Sequence, residues 1–443
     1  MILIQNIEAV VRDAERVERD VDLLIDGHRI ARIGRIDPND LPGDVIRIDG
    51  RGRAAIPGLV NAHTHLYQSM LKGRRDDLPL VDWCEQVTFP FVRRVLKRAW
   101  NDGDTAIGEL WSMVGAFEML HAGVTTFVDM DMNVGHVIRA WQDIGIRGVA
   151  AMTMVDQWVP PEIMLSPEAT REETLKLIEH WHRPGDDNSL TSVFLAPSAP
   201  FTCSEELLQW IAVQSETHDL GVQTHVSETV WEVEESLRLL GTTPLLYLER
   251  FGLLERPLTA VHCVHLSAEE IDLAAKHGVV VVYNAKSNMK LGSGVAPIVA
   301  LRRANVDVAL GTDGAASNDL LDVFEEMRCG LLLQKAVHGD PTVLGARDAF
   351  RFATEGGARA CRVDAGTLDE GKLADVVLVD LSGPHLFRLT DEIVPALVYC
   401  ARGGDVATVI VNGRVVLRDR VIVTADEKPL LKEAMRVGEQ YGK

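Results

Sequence analysis

The chain has 443 residues, of which 47% are hydrophobic and 25% are charged, an ordinary globular composition with room for more than one folding unit. Its formal net charge of −20 repels phosphate, so we expect no nucleic-acid partner. No apolar run approaches the roughly 20 residues of a membrane span, residues 1–10 lack the pattern of a signal peptide, and the six cysteines are scattered without a C-x-x-C pair. We therefore expect reduced thiols, a cytoplasmic location and no membrane partner.

The two ends of the chain share a β-rich pattern. Short apolar runs alternate with turn signals such as Asp26-Gly27 and Asn412-Gly413, which are typical of hairpins. We predict that residues 1–53 and 374–443 pack together as a small composite β-sandwich, which the middle of the chain interrupts. The predicted strands of this unit are Ile2–Ile4, Val21–Ile25, Arg29–Ile33, Ala374–Val379, Thr408–Val411 and Val415–Leu417.

In the middle, over residues 54–373, short apolar runs alternate with longer helical patterns. This alternation predicts an α/β fold, a distorted (β/α)₈ TIM barrel. An open doubly wound sheet is the alternative, but no G-x-G-x-x-G or P-loop pattern follows any strand. The predicted strands are Ala54–Val60, Thr125–Met130, Gly148–Val155, Ser192–Ala196, Gly221–Val226, Leu258–Val264, Val279–Tyr283 and Val306–Gly311, and the predicted helices include Ile107–His121, Glu168–His180, Ser204–His218 and Ala268–Lys276.

Histidine or aspartate occurs near the ends of four of these strands. His63 and His65 follow the first strand, and residues two apart in an extended segment point the same way. His225, His262 and Asp313 end the fifth, sixth and eighth strands. Each alone has an ordinary explanation, such as a surface histidine or an Asp-Gly turn. Barrel enzymes work on the face where strands end, so together they predict three imidazoles and one carboxylate on a divalent metal, with a position left for water.

Glu228 lies three residues past His225, close to the predicted metal without being an obvious ligand. A carboxyl group there can take a proton from the water and deliver it to a leaving nitrogen. The alternative for Glu228 is a solvated glutamate at the start of a helix, where acids are favoured. His262 is predicted either to hold or polarise the attacking water or to be a further ligand.

Several segments together carry a resemblance that spans nearly the whole chain. They are Pro57-Gly58-Leu59-Val60-Asn61-Ala62-His63-Thr64-His65, Asp77-Leu78-Pro79-Leu80-Val81-Asp82-Trp83, His225-Val226-Ser227-Glu228-Thr229, His262-Cys263-Val264-His265-Leu266, Ser287-Asn288-Met289-Lys290-Leu291-Gly292-Ser293-Gly294 and Gly311-Thr312-Asp313-Gly314-Ala315-Ala316-Ser317-Asn318. The chain resembles the amidohydrolase superfamily in its cytosine-deaminase-like and chlorohydrolase-like branch. That branch holds adenosylhomocysteine/methylthioadenosine deaminases, guanine/8-oxoguanine deaminases and s-triazine hydrolases.

The resemblance implies a metal site and its chemistry. Glu228 and His262 would act on water and substrate, and Asp313 would also shuttle a proton from the water. Binuclear barrel hydrolases bridge two metals with a carboxylated lysine at a middle strand, whereas Lys176, in a helical stretch, is the only lysine between residues 98 and 275. We therefore predict one divalent metal per subunit, Zn²⁺ or alternatively Fe²⁺, in a homodimer or larger homo-oligomer. The implied metal ligands are His63, His65, His225 and Asp313.

Three positions depart from the adenosyl-type deaminases that the chain resembles. Those relatives have a histidine where this chain has Ser198, a ribose-binding glutamate where it has Val92, and an arginine where it has Met152. The hydroxyl groups of a nucleoside would therefore lose partners, which costs binding free energy. We expect a base-like substrate in preference to an adenosine-like nucleoside.

Four side chains are predicted to contact the substrate: Gln68, Trp83, Ser198 and Ser317. The segment around Gln68 is similar to one in guanine deaminases and triazine hydrolases, and an amide offers both a donor and an acceptor to a ring edge. The alternative for Gln68 is a buried residue that caps a helix. Where relatives usually read H-N-P, this chain reads Tyr283-Asn284-Ala285-Lys286, and Lys286 either attracts an anionic group or is solvated.

Together these features predict a metal-dependent hydrolytic deaminase. Hydroxide would add to an sp² ring carbon that bears an exocyclic amine, and the tetrahedral adduct would release ammonia. The predicted substrate is a small amino-substituted nitrogen heterocycle such as an oxopurine, pterin, pyrimidine or triazine. One alternative keeps the site and changes the bond, to chloride or alkylamine displacement or to cyclic amide hydrolysis. A second alternative is a non-catalytic metal-binding protein on this fold.

Overall fold

The computed structural model describes residues 1–94, 106–132, 134–388 and 390–441, whose strands form two sheets. The N-terminal strands are β1 (Ile2–Val11), β2 (Val17–Asp26), β3 (Arg29–Gly34), β4 (Ile46–Asp49) and β5 (Arg53–Pro57). β1 pairs antiparallel with β2 and parallel with both β4 and β5. Gly27 lies between β2 and β3 with a φ of 57°, which glycine adopts without strain, so the predicted hairpin at Asp26-Gly27 is confirmed.

The second sheet is the predicted barrel. Its strands are β6 (Leu59–Thr64), β7 (Val124–Asp131), β8 (Arg147–Met154), β9 (Thr191–Pro197), β10 (Gly221–Val226), β11 (Leu258–His262), β12 (Val280–Tyr283) and β13 (Asp307–Leu310). Each strand pairs in parallel with the next. At the seam between β13 and β6, the Asp313 backbone N–H donates to the His63 carbonyl at 3.0 Å, and Asn61 Nδ2 donates to Thr312 Oγ1 at 2.8 Å. The predicted (β/α)₈ barrel is confirmed.

The C-terminal strands complete the first sheet. They are β14 (Val376–Asp380), β15 (Val406–Val411), β16 (Arg414–Arg418) and β17 (Val421–Ile422). β14 pairs antiparallel with β5, so strands from both ends of the chain form one nine-stranded sheet. Apolar side chains from both ends, such as Ile4, Ile25, Val376 and Ile410, form one buried cluster on it. The predicted pairing of the two ends is confirmed.

The predicted first barrel strand, Ala54–Val60, is divided between the two sheets. Arg53–Pro57 joins the terminal sheet, and the barrel begins at Leu59. The residues on both sides of the division are buried, so a continuous apolar run gave no sign of it. Gly58 makes the crossing possible, because a Cβ there would lie 2.0 Å from Thr125 Oγ1.

Helices surround the barrel and connect its strands. The α-helices are Leu80–Trp83, Ala106–His121, Val134–Ile144, Pro167–Trp181, Glu205–His218, Val230–Leu240, Pro244–Arg250, Ala268–His277, Ala285–Lys290, Ile298–Arg303, Ala315–Asn318, Val323–His338, Ala346–Arg351, Gly357–Ala360, Ile393–Tyr399 and Glu427–Tyr441, and residues 89–94 are also helical. Short 3₁₀ segments are Pro38–Asp40, Leu66–Met70, Pro161–Ile163, Pro200–Thr202, Leu253–Glu255, Pro384–Leu386 and Gly403–Asp405, and π-helical turns are Cys84–Thr88 and Phe352–Gly356.

Local sequence explains where these helices begin and end. The Ser267 hydroxyl accepts a hydrogen bond from the Glu270 backbone N–H, and the Glu270 carboxylate accepts one from the Ser267 backbone N–H, a capping box that starts the helix Ala268–His277. Gly278 ends it in the left-handed conformation. The C-terminal helix Glu427–Tyr441 packs on the barrel helix Ala106–His121. The C-terminal segment therefore contacts both units, and the domain boundaries at residues 53 and 374 stay a prediction. In the part of the chain that the structure describes, no helix combines the length and apolarity needed to cross a bilayer.

Candidate active site

The carboxyl ends of β6, β10 and β13 bring the four predicted metal ligands together. His225 Nε2 lies 3.3 Å from His63 Nε2. Asp313 Oδ1 lies 3.3 Å from His65 Nε2 and 3.5 Å from His63 Nε2. His63, His65 and His225 offer donor atoms that all lie within 4.8 Å of one another. Side chains as far apart in sequence as His63 and Asp313 therefore share one small space.

Each of these imidazoles is oriented by a hydrogen bond at its Nδ1. His65 Nδ1 donates to the Met130 carbonyl at 2.6 Å, and His225 Nδ1 donates to the Ser198 carbonyl at 2.6 Å. His63 Nδ1 donates to Gln223 Oε1 at 2.9 Å. Because Nδ1 is bonded in this way, each Nε2 faces the common space, where a neutral ring would offer its lone pair to a metal.

Gln223 is a site residue that sequence reasoning missed. Its Nε2 donates to the Ala62 carbonyl at 2.9 Å, which leaves Oε1 free to accept from His63. The signal was present, because Gln223 precedes His225 by two residues in β10 and so points to the same side of the strand. A buried amide on the face that carries a predicted ligand indicates a supporting role.

Asp313 is held by three donors. Its Oδ2 accepts from Ser287 Oγ at 2.6 Å and from Ser317 Oγ at 3.0 Å, and its Oδ1 accepts from the Gly314 N–H at 2.8 Å. Burial raises the pKa of the Asp313 carboxyl, but hydrogen bonds with His63 and His65 outweigh it and hold the pKa well below its usual range. Asp313 is therefore a carboxylate at neutral pH.

The backbone at Asp313-Gly314 is specialised for this position. Asp313 adopts a left-handed φ of 61°, a conformation that costs free energy and clusters at functional sites. A Cβ on Gly314 would lie 1.9 Å from Gln68 Oε1. The Asp-Gly pair thus brings the carboxylate and the Gln68 amide to adjoining positions, which a simple surface turn would not require.

Glu228 and His262 form a second group beside the first. Glu228 Oε2 lies 3.6 Å from His262 Nε2, and its Oε1 accepts from Ser293 Oγ at 3.0 Å. Burial, followed by the charge of Asp313, raises the pKa of Glu228 to about 8. His262 Nδ1 is 2.8 Å from Asn288 Oδ1, and burial lowers the pKa of His262. His262 also lies within 4.8 Å of the donor atoms of His63 and Asp313, so both predicted roles stay open for it.

Glu232 is a second residue that sequence reasoning missed. It is 3% exposed, and its carboxylate accepts from two successive backbone groups, the Ser227 N–H at 2.9 Å and the Glu228 N–H at 2.6 Å. Ser227 has a left-handed φ of 50°. Glu232 therefore fixes the turn that presents Glu228. Its position in the first turn of the helix Val230–Leu240 could be predicted from the sequence. An acid in a first turn more often stabilises the helix through its charge, so the contact with the preceding turn was not predicted.

A pocket leads outward from these groups, and most of the predicted substrate contacts line it. Gln68, Trp83 and Ser198 are among the lining residues. The buried Trp83 Nε1–H has no hydrogen-bond partner among the described residues. Ser317 instead lies behind Asp313, to which it donates, and is not part of the described lining.

Two lysines considered in the sequence lie away from the ligands. Lys286 is partly exposed, its backbone N–H donates to Glu326 Oε2 at 3.3 Å, and it does not belong to the described lining. Lys176 pairs with Glu172 and Glu173 on the outside of the helix Pro167–Trp181. Lys176 is the only lysine between residues 98 and 275, so the barrel strands β8, β9 and β10 bring no lysine to the ligands.

The donor set fits a divalent metal. Three imidazole nitrogens and one carboxylate oxygen are ligands that zinc and similar ions take, with a further position for water. The hydrogen-bonded Nδ1 atoms are the outer partners expected of metal-binding histidines. A barrel that carries this set where its strands end defines a metal-dependent hydrolase.

The chain belongs to the amidohydrolase family, whose model matches residues 54–416. It is 41% identical over 426 residues to a 5'-deoxyadenosine deaminase from Methanothermobacter thermautotrophicus, covering 96% of this chain and 95% of the relative. It is 38% identical over 427 residues to a 5-methylthioadenosine/S-adenosylhomocysteine deaminase from Caldanaerobacter subterraneus, covering 96% and 95%. A zinc-bound adenosine deaminase from Xanthomonas campestris has a TM-score of 0.89 and 31% identity, with 99% of this chain and 98% of that chain covered. The predicted resemblance is confirmed.

These relatives reverse the expectation that a nucleoside is disfavoured. Their names are those of nucleoside deaminases, and two of them align with 96% of this chain. The expectation rested on three positions, and the structure weakens the argument at one of them. Met152 is buried outside the pocket lining, 3.5 Å from Thr174 Oγ1, so its identity carries little information about substrate. Ser198 lines the pocket and also positions His225 through its backbone carbonyl, a contact that any residue at this position can supply.

Proposed function

We propose that this chain is a metal-dependent aminohydrolase that releases ammonia from the six-membered ring of an adenosine-type nucleoside. The observation that carries the proposal is the position of Glu228. Its carboxyl lies 3.6 Å from His262, faces the pocket and stands beside the four metal donors without belonging to either group of candidate ligands. A proton carrier in that place suits the replacement of an amine by water.

His63, His65, His225 and Asp313 would hold one divalent ion, and we propose zinc. A similar deaminase carries zinc, and the nitrogen-rich donor set suits it. When bound, the metal supplies the Lewis acidity that lowers the pKa of a coordinated water toward about 7. His63 and His225 are suited to holding it, because burial lowers the pKa of His63 to about 4 and that of His225 well below its usual range, which keeps both rings neutral.

Glu228 would manage the protons of the reaction. A carboxyl whose pKa lies near 8 holds a proton for much of the time at neutral pH and loses it readily. It can therefore accept a proton from the attacking water and deliver one to the leaving nitrogen. The His262 ring lies beside that carboxyl, with Nε2 3.6 Å from Oε2, and would help to orient it. Asp313, ionised at neutral pH, is the second proton acceptor.

The aromatic ring would be oriented by Trp83 and Gln68. The Trp83 indole N–H is a buried donor without a partner among the described residues, and a ring nitrogen would satisfy it. Gln68 is 2% exposed, and its amide would meet the edge of the ring. Ser317 would act indirectly, through its hydrogen bond to Asp313.

The test is product analysis with zinc-loaded protein. Adenosine, 5'-deoxyadenosine and 5'-methylthioadenosine are incubated with the enzyme, and ammonium is measured with the deaminated nucleoside. We expect one ammonium for each product molecule and no release with metal-free protein. The proposal fails if chlorinated or alkylaminated triazines lose chloride or alkylamine while none of the three nucleosides releases ammonium.

A further inference from the structure

One wall of the pocket, which runs outward from Tyr67 beside Gln68, is apolar. Two of its residues are deeply buried, Val92 at 7% exposure and Ile163 at 2%. They pack in one cluster whose remaining members are partly buried. This outer wall consists of Tyr67, Phe89, Val92, Met132, Val159 and Ile163, all of which line the pocket.

Four aromatic rings stand together at the same end of the pocket. The Trp158 ring centroid lies 5.9 Å from that of Phe89, 5.3 Å from that of Phe201 and 5.6 Å from that of Trp231. They come from separate segments, after β6, β8, β9 and β10. We call Phe89, Trp158, Phe201 and Trp231 the mouth cluster.

Trp158 is unusual within the mouth cluster. It has a left-handed φ of 67°, a strained conformation for a bulky residue, and its side chain is 39% exposed. A large aromatic side chain held at a pocket mouth in a strained backbone indicates a contact surface for a ligand. The rings around it are in edge-on or tilted contact, which leaves aromatic surface facing the pocket.

Among the described residues, the outer wall and the mouth cluster carry no charged side chain, and their polar groups are the Tyr67 hydroxyl and the indole N–H groups of Trp158 and Trp231. Glu232 already accepts hydrogen bonds from the backbone N–H groups of Ser227 and Glu228. The other acids and the histidines of the described lining belong to the candidate metal site: His65, His225, Glu228, His262 and Asp313. Two hydroxyls are also engaged, since Thr88 donates to the Cys84 carbonyl at 3.1 Å and Thr202 donates to the Ala199 carbonyl at 2.8 Å. No aspartate, glutamate, lysine or arginine of the described lining belongs to the outer wall or the mouth cluster.

The geometry of a purine decides which part of a substrate meets this surface. The ring carbon that bears the amine and the nitrogen N9 lie on opposite sides of the bicycle. With the amine directed at Glu228 and Asp313, the N9 substituent points outward along the pocket. A ribose there would meet the outer wall, where the described lining offers its adjacent hydroxyls no carboxylate partner.

Resting on the function proposed above, we propose that the outer wall and the mouth cluster bind the N9 substituent through apolar and stacking contacts. The substrate class is then 6-aminopurines whose N9 substituent presents an apolar or aromatic face. Sugar hydroxyls contribute little to recognition. A site built to hydrogen-bond a hydroxyl rejects the analogue that lacks it by roughly 10⁴-fold, whereas an apolar wall does not.

The first experiment compares kcat/KM of the zinc-loaded enzyme for adenosine, 2',3'-dideoxyadenosine and 9-benzyladenine. We expect dideoxyadenosine to match adenosine within about threefold and 9-benzyladenine to exceed it by about tenfold. A loss of 100-fold or more on removing the hydroxyls overturns the inference and leaves the proposed deaminase intact.

Binding of the deaminated compounds separates the two proposals. Inosine and 9-benzylhypoxanthine are titrated into zinc-loaded enzyme by calorimetry. Tighter binding of 9-benzylhypoxanthine supports the apolar recognition even if no adenine compound releases ammonium, in which case the deaminase proposal alone fails. Tighter binding of inosine, or no binding of either compound, overturns the inference.

Substitutions test whether Trp158 contacts the N9 substituent. Trp158→Ala should lower kcat/KM for 9-benzyladenine about tenfold more than for adenosine, and Trp158→Leu, which keeps apolar volume, should recover part of the loss. Trp210→Ala is the matched control, because Trp210 lies outside the pocket lining, 5.9 Å from the Arg171 guanidinium, and should leave the ratio unchanged. Equal losses on both substrates for Trp158→Ala would contradict a contact with the N9 substituent.

Discussion

The two ends of the pocket are built in different ways. At the metal end, reactive side chains are fixed by directed hydrogen bonds: His63 by Gln223, Asp313 by Ser287, and Glu228 by Ser293. At the outer end, the walls are apolar and held by packing. The chemistry needs atoms in set positions, whereas an apolar surface accepts many shapes. The difference explains why the reaction class follows from the metal end and why the substrate must be inferred from the outer end.

The largest effect should come from removing a ligand at the metal end. His225→Ala takes one imidazole from the site, so zinc content should fall well below one ion per chain and ammonium release should fall to the background rate. Elemental analysis and product assay measure the two effects. His180→Ala, an exposed histidine that bonds the Lys176 carbonyl, is the control and should retain both. Full metal content in His225→Ala would remove it from the ligand set.

Glu228→Gln should keep the metal and lose turnover. The amide preserves the shape of the side chain and cannot carry a proton, so kcat should fall by about 10³-fold. Ammonium release and zinc content are measured on the same samples. The exposed Glu234, in the same helical region, provides Glu234→Gln as the matched control. Activity within tenfold of the parent would show that Glu228 is not the proton carrier.

A smaller effect should follow from weakening the support of a ligand. Gln223→Leu removes the acceptor of His63 Nδ1 while leaving all four ligands, so zinc affinity or kcat should fall by about 10–100-fold. Competition with a chelator measures the affinity. Gln209→Leu, at an exposed helix position, controls for the loss of an amide elsewhere. Unchanged affinity and kcat would mean that packing alone orients His63.

The smallest effect concerns the pH dependence of stability. Glu326 is fully buried and accepts from Asn318 Nδ2 at 2.6 Å, and the same Nδ2 donates to the Thr312 carbonyl beside Asp313. Burial raises the pKa of Glu326 from 4.5 to about 7. The folded chain therefore holds this proton more tightly than the unfolded chain. The resulting stability, about 3 kcal/mol, is present below pH 4.5 and is lost as pH rises through 7.

Glu326→Gln, which stays neutral, should lack this loss. The Tm of Glu326→Gln minus the Tm of the parent is the gap to be measured, and it should increase by roughly 3 °C from pH 5 to pH 8. Thermal unfolding of the zinc-loaded proteins at both pH values measures the gap, with Glu325→Gln in the same helix as control. A gap that does not change with pH would mean that Glu326 titrates normally in the folded chain.

The sequence predicted the barrel and the convergence of the candidate ligands for a specific physical reason. Parallel strands end on one face, so His63, His225 and Asp313, each near the end of a predicted strand, had to meet. The limits were also physical. The division between Pro57 and Leu59 was hidden because both sides are buried. The support of Glu228 by Ser293, 65 residues away, depends on tertiary contact that no local pattern encodes.

The substrate was the least predictable part. Ser198, Val92 and Met152 were given equal weight in the sequence, yet the first two line the pocket and Met152 does not. Which side chain of a buried strand or helix faces a cavity depends on packing, which residue identity alone does not reveal. The outer wall was invisible for the same reason, because its members Tyr67, Phe89 and Ile163 read as ordinary core residues.

A zinc titration of metal-free protein, followed by ammonium release from 5'-deoxyadenosine, tests the central claim most directly. If three imidazoles and Asp313 hold one ion that activates the reaction, the rate rises linearly and breaks at one zinc per chain. Full activity without added metal, or a break at two ions per chain, would contradict a single metal held by these four side chains.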